Sequence, residues 1–143
     1  MTFPYAAQNA AQRERLRAVV ARLSDADLAR MVDAEWTVAQ VLVHLAFWDR
    51  YREAAFVQWE GGGDIPTPVE AEALNTAIAV LSEAIPPRES GRLAVEAAEA
   101  IDRVLERLPA DKVAAAEAAG LTLLLNRSQH RGNHLNQIER ALG

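Results

Sequence analysis

The chain contains three histidines, and their spacing predicts a metal site. His130 and His134 are four residues apart in a segment with helical periodicity. Side chains at that spacing share one face of a helix, with Cβ atoms roughly 5–6 Å apart. His44 lies far upstream, on the apolar side of an earlier predicted helix. Three protein ligands on an ion leave one coordination position open, which is typical of a catalytic rather than a structural site. The spacing therefore favours a divalent metal held by His44, His130 and His134.

The composition limits the kinds of protein that this chain can be. Its 143 residues predict one domain spanning residues 1–143, and the lack of cysteine excludes disulfides, thiolate metal ligands and a cysteine nucleophile. A net charge of −5 argues against nucleic-acid binding through clustered basic residues. No apolar run has the length of a membrane span, and the first residues lack the pattern of a signal peptide. We therefore expect a cytoplasmic protein without nucleic-acid or membrane partners.

Helical periodicity extends over almost the whole chain, and no segment alternates convincingly like a strand. Thr37 and Gln40 match a capping box at the start of the second long helix, and a run of glycines ends that helix. The Pro-Pro pair at 86–87 interrupts the next helical region, and Ser90 is predicted to cap the segment that follows. The predicted helical segments cover residues 6–23, 24–31, 37–60, 69–85, 90–108 and 122–142.

These segments predict an all-α protein, a four-helix bundle with short connections. His44 shares a helix face with the apolar residues Val41 and Trp48, so its imidazole is expected to point toward the interior. His130 and His134 border the apolar stripe of the last helix, at the edge of the core. Bundles commonly hold metals between side chains of facing helices, so the fold and the histidines are compatible.

The histidines also have a simpler interpretation. A single histidine on an apolar face is more often a hydrogen-bonded core residue than a ligand, so three core histidines in a plain helical dimer remain an alternative. The sequence shows no obvious general base beside them. Asp49 is predicted to be a surface charge, with a role behind the metal ligands as the less favoured interpretation.

For several other polar and aromatic residues, the sequence alone leaves two roles open. Arg50, Arg52 and Arg127 are compatible with binding an anionic ligand and equally with solvated surface positions. Aromatic residues at helical spacing are usually part of a core, although they also line binding pockets. The residues open to both interpretations are Trp36, Trp48 and Tyr51.

Two segments of the chain resemble the DinB-like (YfiT-like) superfamily. They are residues 36–46 (WTVAQVLVHLA) and residues 130–138 (HRGNHLNQI), which match its W-[ST]…H-L and H-x-x-x-H-L-x-Q-I patterns. The resemblance implies a four-helix bundle of up-down-down-up topology, usually a homodimer. It also implies a divalent metal, commonly zinc or nickel, on the three histidines at positions 44, 130 and 134.

The same resemblance suggests two kinds of chemistry. Some members are thiol S-transferases or isomerases that use a low-molecular-weight thiol such as bacillithiol or mycothiol, and others look like hydrolases. For this chain we therefore predict a metal-dependent enzyme that activates a thiol or water for reaction with a small-molecule substrate. The alternative is a non-catalytic metal-binding or stress-associated helical-bundle dimer. The sequence assigns no catalytic residue beyond the metal ligands.

Overall fold

The computed structural model describes residues 2–143, and within that range the protein is all-helical, as predicted. Its one departure from helix and loop is an isolated bridge between Met31 and Thr37. No helix of the described chain has the length and apolarity needed to cross a membrane. The helices are α1 (Ala6–Arg22), α2 (Asp25–Ala29), α3 (Val38–Glu60), α4 (Glu72–Ser82), α5 (Pro87–Glu106), α6 (Ala110–Ala118), α7 (Thr122–Leu125) and α8 (Ser128–Leu142).

The four longest helices pack against one another around two apolar clusters. Helix α1 contacts α5 and α8, and α3 contacts the same two helices from the other side. One cluster includes Leu16, Leu42 and Leu135, and the other includes Phe56 and Ile101. Helix α3 supplies residues to both clusters and so runs through the centre of the fold. The up-down-down-up order and the homodimer stay predictions.

The ends of α3 are determined locally by its sequence. The hydroxyl of Thr37 accepts a hydrogen bond from the Gln40 backbone at 3.2 Å, and the Gln40 side chain accepts one from the Thr37 backbone at 2.9 Å. This is the predicted capping box, which satisfies two free N–H groups of the first turn. At the other end Gly61 is the C-cap, and Gly62 adopts a φ of +98° that favours glycine.

Two predicted helix starts are wrong. Ser90 does not cap α5, because α5 begins at Pro87, one turn earlier. Proline is well suited to a first helical position, since its fixed φ is helical and its missing N–H would be unpaired there anyway. The Ser90 hydroxyl instead donates to the Pro87 carbonyl at 2.6 Å inside the helix. Helix α4 starts at Glu72 rather than near Val69.

The last predicted helix is divided in two. Asn126 lies between α7 and α8 with extended backbone angles (φ −93°, ψ 94°). The buried side chain of Asn9 compensates for the interruption: it donates to the Leu125 carbonyl at 3.0 Å and accepts from the Arg127 backbone N–H at 2.8 Å. This contact attaches α1 to the start of α8, the helix that carries two of the histidines.

Candidate metal centre

The fold brings the three histidines together. His44 lies on α3, and His130 and His134 lie one turn apart on α8, which packs against α3. One nitrogen from each imidazole lies within 4.8 Å of the other two, and the Nε2 atoms of His44 and His130 are 3.2 Å apart. Such a group could hold a metal ion. The predicted juxtaposition is confirmed, and the ligand role of each residue stays a prediction.

Burial keeps these imidazoles neutral near neutral pH. It lowers the pKa of His44 to about 4, with a smaller effect from His134. Burial also lowers the pKa of His130 to about 2, and the charge of Arg127 acts in the same direction. The pKa of His134 is lowered by burial as well, although its hydrogen bond to Gln137 opposes the shift. Neutral imidazoles offer lone pairs, which is the state that a metal requires of its ligands.

Hydrogen bonds determine which nitrogen of each ring is free. The amide oxygen of Gln137 lies 2.8 Å from Nδ1 of His134 and can only accept, so Nδ1 carries the proton and Nε2 is free for a metal. An Arg127 N–H donates to Nδ1 of His130 at 3.3 Å, so the proton of that ring lies on Nε2, facing His44. For His130 to present Nε2 to an ion, its proton must move to Nδ1, and the Arg127 N–H must turn away from that atom. The donor set fits a metal, and Arg127 is the residue that must adjust.

A buried network of charged groups lies behind the histidines. Arg131 is fully buried and binds both oxygens of Asp102 at 2.9 and 2.8 Å. It also donates to Asp49 at 3.3 Å, and the other oxygen of Asp49 accepts from Arg127 Nε at 3.0 Å. The network joins α3, α5 and α8 and ends at the Arg127 contact with His130. It fixes the two histidine-bearing helices relative to each other.

The prediction that Asp49 is a surface charge is therefore wrong. Its exposed fraction is 1%, and both of its oxygens are paired with arginines. Sequence reasoning did not identify Arg131 or Asp102 at all. A signal for Arg131 exists, because it lies four and seven residues before the buried Leu135 and Ile138, on the same helix stripe.

Two cavities meet at the histidines. The first has a volume of about 480 Å³ and is lined by all three histidines together with Trp48 and Arg52 among others. The second has a volume of about 590 Å³ and is lined by His44 and His134 on its histidine side. Trp36 lines this second cavity. Tyr51 lines neither and lies instead beside the Arg52 guanidinium.

The two cavities differ in charge. The residues that line the first include Arg52 and Arg127 and no carboxylate. Carboxylates line the second cavity, and they are Asp33, Glu35 and Glu72. Of the arginines considered from the sequence, Arg50 is exposed and pairs with Glu53, whereas Arg52 and Arg127 are 7% and 5% exposed. The structure therefore separates three residues that the sequence left equivalent.

An all-α fold with three neutral histidines converging from two helices beside open cavities defines a class of helical proteins with a candidate metal centre. The family model of the DinB superfamily matches residues 8–138, and the chain belongs to that superfamily. Searches of curated proteins and of solved structures found no match. The resemblance stated from residues 36–46 and 130–138 is thereby confirmed at the level of the superfamily.

Proposed function

We propose that the protein is a divalent-metal-dependent enzyme whose ion, zinc or nickel, is held by His44, His130 and His134. It activates a low-molecular-weight thiol, in an S-transferase or isomerase type of reaction, or water, in a hydrolase type. The substrate is a small molecule, and the active form is a homodimer, as the family resemblance implies. The observation that carries the proposal is the convergence of three neutral imidazoles at a point where two cavities meet.

The chemistry divides between the ion and the protein. When bound, a divalent ion lowers the pKa of a coordinated thiol or water and so supplies a nucleophile at neutral pH. The chain supplies the neutral nitrogens, and Gln137 orients His134 by accepting a hydrogen bond from its Nδ1–H. The Asp49–Arg127 ion pair places a guanidinium at the first cavity, and the two cavities lined by the histidines give a small molecule access to them.

A thiol is favoured over water for two reasons. The chain has no cysteine, so any thiol chemistry requires an external thiol, and a cavity of about 480 Å³ beside the histidines offers room for one. None of the described residues that line that cavity carries a carboxylate, so their side chains offer no carboxylate base to remove a proton from water. A thiol needs only to ionise, which a neighbouring dication promotes without a base.

Metal analysis of the purified, untagged protein tests the proposal. We expect about one zinc or nickel ion per chain by plasma mass spectrometry, and its loss in His44→Ala and His130→Ala. Asn133→Ala is the matched control, because Asn133 lines the same cavity on the same helix and is not one of the three histidines. Circular dichroism of each variant checks that the helices are retained.

The cobalt-substituted protein then separates the catalytic proposal from its alternative. Adding a thiol should produce a sulfur-to-cobalt absorption band in the wild-type protein and none in His130→Ala. Full metal content in His130→Ala would refute the three-histidine site. A bound metal whose spectrum no thiol changes, in a protein without hydrolase activity, would instead indicate the non-catalytic helical bundle.

A further inference from the structure

Arg52 is a buried cation without a carboxylate partner. Its exposed fraction is 7%, and no Asp or Glu among residues 2–143 lies within ion-pair distance, although the neighbouring arginines Arg50 and Arg127 each have one. Its one hydrogen bond is a donation from Nη1 to the Thr67 carbonyl at 3.0 Å. No buried side-chain nitrogen of the described chain lacks a hydrogen-bond partner, so the other Arg52 nitrogens reach the solvent of the first cavity, and an anion that enters this cavity can pair with them.

Two aromatic rings and a backbone carbonyl hold the Arg52 guanidinium in a fixed orientation. The guanidinium carbon lies 5.7 Å from the ring centre of Trp48 and 5.3 Å from that of Tyr51. Aromatic faces at this distance attract the cation and hold its plane in place. With Nη1 directed at Thr67, the edge formed by Nε and Nη2 stays available. That edge offers two parallel donors, the arrangement that binds both oxygens of a carboxylate.

Arg52 shares the first cavity with the histidines. His44, Trp48 and Arg52 lie at four-residue intervals on α3 and all line it. Eight residues of helix correspond to a rise of about 12 Å, a span that a small molecule can bridge. The second cavity carries the carboxylates of Asp33, Glu35 and Glu72, which would repel an anion. An anionic ligand is thus expected to bind in the first cavity rather than in the second.

The charge balance around the first cavity favours an anion. Arg127 also lines this cavity, and the carboxylate of its partner Asp49 is shared with Arg131, so the charge of Arg127 is only partly offset. Arg52 adds a positive charge that no carboxylate among residues 2–143 compensates. Burial and the nearby charge of Arg127 lower the pKa of Arg52, and an anion bound between them would relieve that repulsion.

We propose that Arg52 binds the carboxylate of a small-molecule ligand whose reactive end lies at His44, His130 and His134. This proposal rests on the function proposed above and specifies its ligand as a carboxylate-bearing thiol or substrate. The anion site is set by the Arg52 side chain, and the Trp48 and Tyr51 rings support it.

Paired thiols of equal length provide the test. Cobalt-loaded protein is titrated with an ω-mercaptoalkanoate long enough to bridge the site and with the ω-mercaptoalcohol of the same chain length, following the sulfur-to-cobalt band. We expect the wild-type protein to bind the acid about tenfold more tightly, as a charged hydrogen-bonded pair implies. Arg52→Gln should abolish the preference, and Arg52→Lys should retain part of it. Arg50→Gln is the control and should keep it in full, since Arg50 is exposed and pairs with Glu53.

A second titration makes the two proposals separable. An alkanoate without a thiol is added to metal-free protein, and the Arg52 side-chain N–H signal is followed by NMR. A shift of that signal in the wild-type protein supports the carboxylate site even where no thiol affects the cobalt spectrum, an outcome that would refute only thiol activation. Equal binding of the acid and the alcohol, with no NMR shift, would overturn the Arg52 site and leave thiol activation standing.

Discussion

Arg131 shows how strongly one residue can determine the geometry of this site. Its guanidinium is fully buried between Asp49 on α3 and Asp102 on α5, while its own helix carries His130 and His134. Desolvating such charges is costly, and only good geometry and further hydrogen bonds offset that cost. Arg131 meets this condition, because it also donates to the carbonyls of Asn9 and Ala98, at 3.2 and 3.3 Å.

Replacing Arg131 with methionine should therefore destabilise the protein strongly. The change keeps an apolar chain in place of the aliphatic part of arginine but removes the guanidinium and leaves two buried carboxylates with fewer partners, so we expect a loss of about 3–5 kcal/mol in the free energy of unfolding. Arg92→Met is the control, since Arg92 is exposed and its pairs with Glu89 and Glu96 contribute less than about 1 kcal/mol. Urea denaturation measures both variants, and similar losses would contradict a special role for Arg131.

At the scale of single residues, the sequence predicts the three histidines better than the buried charged residues that position them. The three histidines are identifiable because histidine is rare in the chain and because two of them share a helix face. Asp49 was wrongly predicted as exposed, since a carboxylate is rarely buried unless it is paired. Its partners Arg127 and Arg131 lie 78 and 82 residues away in sequence, and no local pattern reports a pairing over that separation.

At the scale of helices, local sequence accounts for most boundaries. The capping box of α3, its glycine stop and the break at the Pro-Pro pair all depend on residues within one turn of the boundary. The break before α8 does not depend on residues within one turn of it. Asn9, which supplies the hydrogen bonds missing at that break, is 116 residues from Leu125 in sequence, so periodicity alone predicted a continuous helix.

Asn9→Ala tests whether that contact holds α8 in place. The change leaves the buried Leu125 carbonyl and the Arg127 N–H without partners, and each unpaired group costs about 1–3 kcal/mol. We expect a lower free energy of unfolding by urea denaturation and weaker metal binding, because the start of α8 is released. Gln8→Ala is the control, since Gln8 is exposed and accepts one hydrogen bond, from Asn126, so its loss should cost less than about 0.5 kcal/mol. Equal effects of the two changes would count against the role of Asn9.

At the scale of the whole molecule, the interior contains polar and charged groups that water would solvate better than the protein does. Three imidazoles and a network of paired charges lie among the helices, where a fold built for stability alone would place apolar side chains. Both cavities are lined by His44 and His134, one with arginines and the other with carboxylates beside them. The histidine site thus makes stability depend on conditions that change the charge of the imidazoles.

Acid should destabilise the metal-free protein through these histidines. In the unfolded chain a histidine has a pKa of about 6.5, whereas burial lowers the folded-state pKa of His44 to about 4. Below pH 6.5 the unfolded state therefore binds a proton that the folded state does not. The stability due to neutral His44 is complete above about pH 6.5 and is lost as the pH falls toward about 4. His130 and His134 have lowered pKa values and act in the same direction.

We expect the free energy of unfolding in the presence of a chelator to fall between pH 7 and pH 5, with about 2 kcal/mol of the loss due to His44. His44→Gln, which keeps a polar side chain but cannot titrate, should lose about 2 kcal/mol less over the same interval. Comparing the two proteins cancels the contribution of carboxylates common to both. Identical losses in the wild-type protein and in His44→Gln would mean that His44 is already solvated in the folded state. The lowered pKa would then be wrong, and with it the description of the site as a set of neutral imidazoles.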